Sequence, residues 1–162
     1  MKKKTKEEEL EMIVTKEFTF DCAHMLDGHE GLCKNLHGHT YKLLVGVEAK
    51  NSATADGAKM NMVVDFSKLK KIVQDNVLSF FDHAFIFNMQ SKDECEQQLK
   101  KLLDTHGKKV MTFPTRTTAE EMSKFIFQML MPHIGSINCS VVFVQLWETP
   151  TSSAICRRED VE

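Results

Sequence analysis

The sequence predicts a single α+β domain in which an antiparallel sheet carries helices on one face. Three patterns predict it: two early segments alternate in polarity, two later ones repeat apolar residues at helical spacing, and a pair of strand-like segments closes the chain. From Ile13 to His24 the alternation places Phe18, Phe20, Cys22 and His24 on one face and Glu17, Thr19 and Asp21 on the other, which is a half-buried strand. It recurs from His37 to Ala49, with His37, His39, Tyr41, Leu43, Val45, Val47 and Ala49 in phase. Asp65 is a candidate N-cap for a helix reaching about Phe80, its apolar face formed by Phe66, Leu69, Ile72, Val73, Val77 and Phe80. A short charged helix spans Asp93 to His106, with Leu99, Leu102 and Leu103 inward and Gly107 as its stop. A further helix starts at Thr117 or Thr118, buries Met122, Phe125, Ile126, Met129 and Leu130, and ends at Met131 before Pro132. Cys139 to Glu148 and Ser152 to Arg158 then form two strands joined by a turn around Pro150.

Composition narrows the function. The 162 residues are 42% hydrophobic and 27% charged, ordinary values for one domain over 10–162 behind a charged, solvated tail at 1–9. Lys and Arg number 21 against 23 Asp and Glu, with no basic block, so nucleic acid is not the expected partner and a small molecule is. The apolar runs fall far short of the ~20 residues that span a bilayer. The N-terminus lacks the apolar stretch of a secretory signal, so a cytoplasmic location is expected. Cys22, Cys33, Cys95, Cys139 and Cys156 are odd in number and include no CxxC pair, which argues against a disulfide framework.

His37 and His39 are two apart in a strand, so both imidazoles emerge on its apolar face. If the first two strands pair as neighbours, His24 meets them across the loop Met25 to Leu36. Three imidazoles suit zinc and leave a coordination position open, as in catalytic rather than structural sites. The alternative is that these are hydrogen-bonded polar groups at strand ends. Cys33 lies four residues before His37, where a nearby metal and Lys34 favour the thiolate, although a loop cysteine is more often without a role. Asp82-His83 suits an orienter and base pair. Glu120 belongs to Thr117-Thr118-Ala119-Glu120, a capping box that explains it without function. Glu148 ends a strand that is apolar on both faces; a carboxylate there either needs a partner with adjacent N–H donors, such as a pterin ring, or simply terminates the strand at the surface.

Phe20-Asp21-Cys22-Ala23-His24 followed by Cys33-Lys34-Asn35-Leu36-His37-Gly38-His39 resembles the signature of the 6-pyruvoyltetrahydropterin synthase and bacterial 6-carboxytetrahydropterin synthase family. The likeness continues through Val64-Asp65-Phe66, Phe81-Asp82-His83, Thr117-Thr118-Ala119-Glu120 and Trp147-Glu148-Thr149, covering roughly 13–158. The resemblance implies the tunnelling fold, in which four antiparallel strands and two helices assemble as trimers that close a barrel and stack into hexamers. It implies zinc on His24, His37 and His39, Cys33 as general base with Asp82 and His83 as relay partners, and Glu148 and Glu120 as pterin-binding residues. The implied substrate is 7,8-dihydroneopterin triphosphate. The expected product is 6-carboxytetrahydropterin, with acetaldehyde and triphosphate released, in queuosine synthesis. The alternative is the 6-pyruvoyl product of a tetrahydrobiopterin-type pathway. A cysteine hydrolase built on Cys33, His83 and Asp82, and a zinc scaffold without turnover, are competing classes that leave Glu148 unexplained.

Overall fold

The two alternating segments form β1 (Val14–His24) and β2 (His37–Ala49), paired antiparallel with His24 opposite His37, Cys22 opposite His39 and Phe20 opposite Tyr41. The computed structural model describes residues 12–50 and 62–161; the charged tail expected at 1–9 lies outside them. The helix expected from Asp65 is α1 (Phe66–Val73), which runs through a π-helical stretch, Gln74–Leu78, into the single turn α2 (Ser79–Phe81). Asp65 caps it, accepting from the Ser67 amide at 2.7 Å. Its buried residues, Leu69, Val73, Val77 and Phe81, are spaced by four. At 3.6 residues per turn such a stripe drifts around the helix, and the wider π turn holds it on the sheet. Phe81 therefore enters the core, whereas Phe80 and Phe66, expected inward, are half exposed.

β3 (Ala84–Asn88) pairs parallel with β1, and β4 (Val110–Phe113) pairs parallel with β3. Between them, α3 (Glu94–Thr105) is capped by Asp93, and Gly107, at φ 62°, follows its C-terminal end. The inward residue of α3 is Glu96, while Leu102 is exposed, contrary to the apolar periodicity. α4 (Ala119–Gly135) buries Met122, Ser123, Ile126, Phe127, Leu130 and Ile134, and Pro132 lies inside it rather than ending it. β5 (Cys139–Thr149) and β6 (Ser152–Arg157) form the closing hairpin.

The sheet order is β4-β3-β1-β2-β5-β6. The sheet is therefore mixed and six-stranded rather than the four antiparallel strands expected: β1, β2, β5 and β6 run antiparallel, and two short parallel strands extend it past β1. Segments of four or five residues such as these are too short to show a period. α1, α2 and α4 cover the face bearing Phe18, Phe20, Tyr41, Leu43, Val45, Val144 and Leu146. α3 lies over the other face at the β3–β4 end, where Leu103 joins Phe85 and Ala23 around a cavity of about 690 Å³.

A bulge in β5 decides what reaches the site. Gly46 pairs with Phe143 but Val47 with Val141, leaving Val142 as an extra residue. The inward phase of β5 passes from Cys139 and Val141 to Val144 and Leu146, and hence to Glu148. Gly46 accommodates this, because the Phe143 ring packs where its Cβ would stand, 2.3 Å away.

Candidate metal and substrate site

His24, His37 and His39 bring ring nitrogens within 4.8 Å of one another at the β1–β2 end. Strand pairing places His24 directly opposite His37, and Gly38 between the two β2 histidines lets the strands close, since a Cβ there would lie 2.9 Å from the Cys22 carbonyl. His24 Nδ1 lies 2.8 Å from the Thr117 carbonyl and 3.2 Å from Thr117 Oγ1, and His37 Nδ1 lies 2.8 Å from the Asn35 carbonyl. A carbonyl only accepts, so both Nδ1 atoms carry the proton and both Nε2 atoms offer lone pairs. Those Nε2 atoms face each other at 3.1 Å. Two lone pairs repel at that separation unless a cation lies between them. Nitrogen ligands of a tetrahedral zinc stand roughly 3.3–3.4 Å apart. His39 Nε2 is buried without a hydrogen-bond partner. Converging lone pairs and an orphaned ring nitrogen make the trio fit for a metal, with Thr117 and Asn35 as the outer partners that orient its ligands.

Burial, opposed by the Thr117 hydrogen bond and reinforced by His37 and His39, holds the His24 pKa down at about 4 from an ordinary 6.5. Burial likewise lowers that of His39. Both are therefore neutral, as ligands must be. The unfolded chain takes up the His24 proton near pH 6.5 and the folded one only near pH 4, so acid favours unfolding across that window. Metal-free protein is expected to lose about 3 kcal/mol between pH 6.5 and pH 4 on this account, measured as urea midpoints along a pH series. A midpoint unchanged over that range would show that His24 is not buried in its neutral form.

Glu148 reaches the trio: its Oε1 lies 3.7 Å from His24 Nε2, 3.7 Å from His39 Nε2 and 3.5 Å from the Tyr41 hydroxyl. It is also the extra residue of a second bulge, where Trp147 pairs with Ser153 but Thr149 with Ser152.

Cys33 sits in a short 3₁₀ turn, Leu32–Lys34, and is partly buried. The Leu26 amide donates to the Cys33 carbonyl at 2.9 Å and closes its loop. Asp27 in that loop accepts from the Lys92 amide at 2.8 Å through its side chain and from Arg116 through its carbonyl. The Met89 to Phe113 segment thus helps to anchor the cysteine loop. Cys22, the other thiol at this end, is pushed up to about 12 by burial and then by Asp21, Asp82 and Glu148, and stays protonated.

Asp82 and His83 do form a pair, His83 Nδ1 to Asp82 Oδ1 at 2.9 Å, with His83 at φ 60°. The pair is anchored to β1 through Asp21, whose amide donates to Asp82 Oδ1 at 3.0 Å and whose carbonyl accepts from the His83 amide at 2.6 Å. Asp21 points away from the histidine face, and no hydrogen bond or ion pair joins Cys33 to Asp82 or His83. Asp21, Asp82 and His83 also gather within 4.8 Å, but internal hydrogen bonds already occupy Asp82 Oδ1 and, through Thr40, Asp21 Oδ1. At α4 the cap is Thr118, accepting from the Glu121 amide, so the expected box is displaced by one residue and Glu120 is exposed in the first turn. The capping signal hid the second role of Thr117, which is buried against His24.

The family model described as 6-pyruvoyl tetrahydropterin synthase matches residues 13–159. The chain belongs to that family. Within the pterin synthase family it is 49% identical to the 6-carboxy-5,6,7,8-tetrahydropterin synthase of Haemophilus influenzae, over 86% of this chain and 94% of that one. It is 30% identical to the enzyme of the same name from Rickettsia bellii, over 84% and 93% of the respective chains. The fold matches an uncharacterised protein of Wolinella succinogenes with a TM-score of 0.71 at 21% identity, covering 92% of this chain and 99% of that one. It also matches the 6-pyruvoyl tetrahydropterin synthase of Plasmodium falciparum with a TM-score of 0.63 at 21% identity, covering 91% and 97%.

Proposed function

We propose that the protein is a zinc-dependent 6-carboxytetrahydropterin synthase, a lyase that takes 7,8-dihydroneopterin triphosphate and one water to 6-carboxy-5,6,7,8-tetrahydropterin, acetaldehyde and triphosphate. The observation that carries this reading is the 49% identity to the Haemophilus protein of that name across 94% of its length. His24, His37 and His39 would hold the zinc, which supplies Lewis acidity toward the hydroxyls of the substrate side chain. Cys33 accepts a side-chain proton as thiolate. Glu148 anchors the pterin, its carboxylate accepting from adjacent ring N–H groups. Glu120, exposed on the first turn of α4, is the second candidate for ring binding.

Asp82 and His83 serve Cys33 across a subunit boundary in this reading. The pair is exposed and makes no hydrogen bond or ion pair with the cysteine of its own chain, and an assembly of trimers or hexamers would supply a neighbouring copy. Two sheet edges, β4 and β6, are available for such pairing. A cytoplasmic setting accords with five free cysteines. The test is incubation of zinc-loaded protein with 7,8-dihydroneopterin triphosphate and mass analysis of the pterin. A 6-carboxy product supports the reading, and a 6-pyruvoyl product moves the protein to the other branch of the family.

A further inference from the structure

The phenol of Tyr41 is fully buried, and burying a hydroxyl without a partner is costly. Among the described residues its hydrogen-bond partner is Glu148 Oε1, at 3.5 Å. The ring has little freedom to turn elsewhere. It stacks on Phe20 with centroids 5.2 Å apart and planes at 12°, and stands edge-on to His39 at 5.5 Å and to His24 at 6.3 Å. Tyr41 shares the β2 face of His37 and His39, and the bulge at Val142 brings Glu148 to that same face. The carboxylate itself is only partly covered, its side chain 30% exposed, and beside the 3.7 Å contacts of Oε1 with His24 and His39 the Tyr41 hydroxyl is its hydrogen-bond donor among the described residues.

We infer that Tyr41 is a positioning residue for substrate binding: its hydroxyl donates to Glu148 Oε1, holds that oxygen toward the histidines, and leaves Oε2 turned outward to accept from the ring N–H groups of a pterin. The inference rests on the reading of Glu148 as pterin anchor. With the phenol removed, the carboxylate keeps only its longer contacts with the histidines, turns more freely and must be ordered at the moment of binding, a loss in affinity comparable to that of one hydrogen bond to a charged group.

The test compares Tyr41→Phe, Glu148→Ala and the double variant for neopterin binding, zinc content and thermal unfolding. Tyr41→Phe is expected to bind neopterin roughly five- to tenfold more weakly, with one zinc retained and the unfolding midpoint close to the parent. In turnover the loss should fall on KM rather than kcat. In the Glu148→Ala background the same change should have no further effect. Unchanged binding in Tyr41→Phe, or an equal loss in both backgrounds, overturns the positioning role while leaving Glu148 as anchor. Normal binding in Glu148→Ala overturns the anchor reading and the inference together. Tyr41 is the sole tyrosine of the chain, so ultraviolet resonance Raman of the parent reads its hydrogen bond directly. A phenol band that does not move between parent and Glu148→Ala also refutes the inference, whether or not Tyr41→Phe folds.

Discussion

His37→Ala is expected to empty the proposed zinc site. The substitution removes one of three converging nitrogens and releases the facing lone pair of His24, 3.1 Å away, from the contact that a cation satisfies. Removing an outer partner of a metal ligand typically costs 10–100-fold in affinity, so losing a ligand outright should cost at least about a hundredfold. Dialysis against a moderate chelator followed by elemental analysis should find about one zinc per parent chain and close to none in the variant. Stoichiometric zinc in His37→Ala would contradict the ligand assignment. His37 is only partly buried, so the substitution leaves no large void, and the variant should still fold.

Cys33→Ala should keep zinc and pterin binding and lose turnover by about 10²–10⁴-fold, the usual worth of a positioned general base. Three features single out this cysteine. Cys22 is buried and held protonated near 12. Cys139 and Cys156 are buried in the core cluster, and Cys95 is exposed on α3. Cys33 alone belongs to the loop that joins the two histidine-bearing strands, and that loop is tied down through Asp27 to Lys92 and Arg116. Turnover undiminished in Cys33→Ala would assign proton removal to another group. Loss of zinc in that variant would instead mark the cysteine as a ligand.

The convergence of the three histidines was legible in the sequence because strand periodicity of two is rigid. His24, Cys22, Phe20 and Phe18 share a phase, as do His37, His39, Tyr41 and Leu43, and antiparallel pairing of neighbours brings the two sets together. The side to which Glu148 points was not legible by alternation. β5 is apolar on both faces, and the extra residue Val142 reverses its phase midway. A bulge leaves little trace in polarity when the strand on either side of it is apolar. The stripe on the first helix was misjudged for a related reason: a π turn changes the period, so Phe81 replaces Phe80. Thr117 was assigned to a cap that Thr118 in fact provides, and its contact with His24 spans 93 positions of sequence. Asp82 and His83 form the ion pair that their adjacency suggests, but spacing does not reveal that Asp21 anchors them to β1, with no hydrogen bond or ion pair to Cys33.

The proposed function stands or falls on the bond broken in the substrate side chain. Zinc-loaded protein supplied with 7,8-dihydroneopterin triphosphate and coupled to alcohol dehydrogenase should form one acetaldehyde for each triphosphate released, as cleavage between the first two side-chain carbons requires. Triphosphate release with no acetaldehyde, and with a 6-pyruvoyl pterin accumulating, would contradict it.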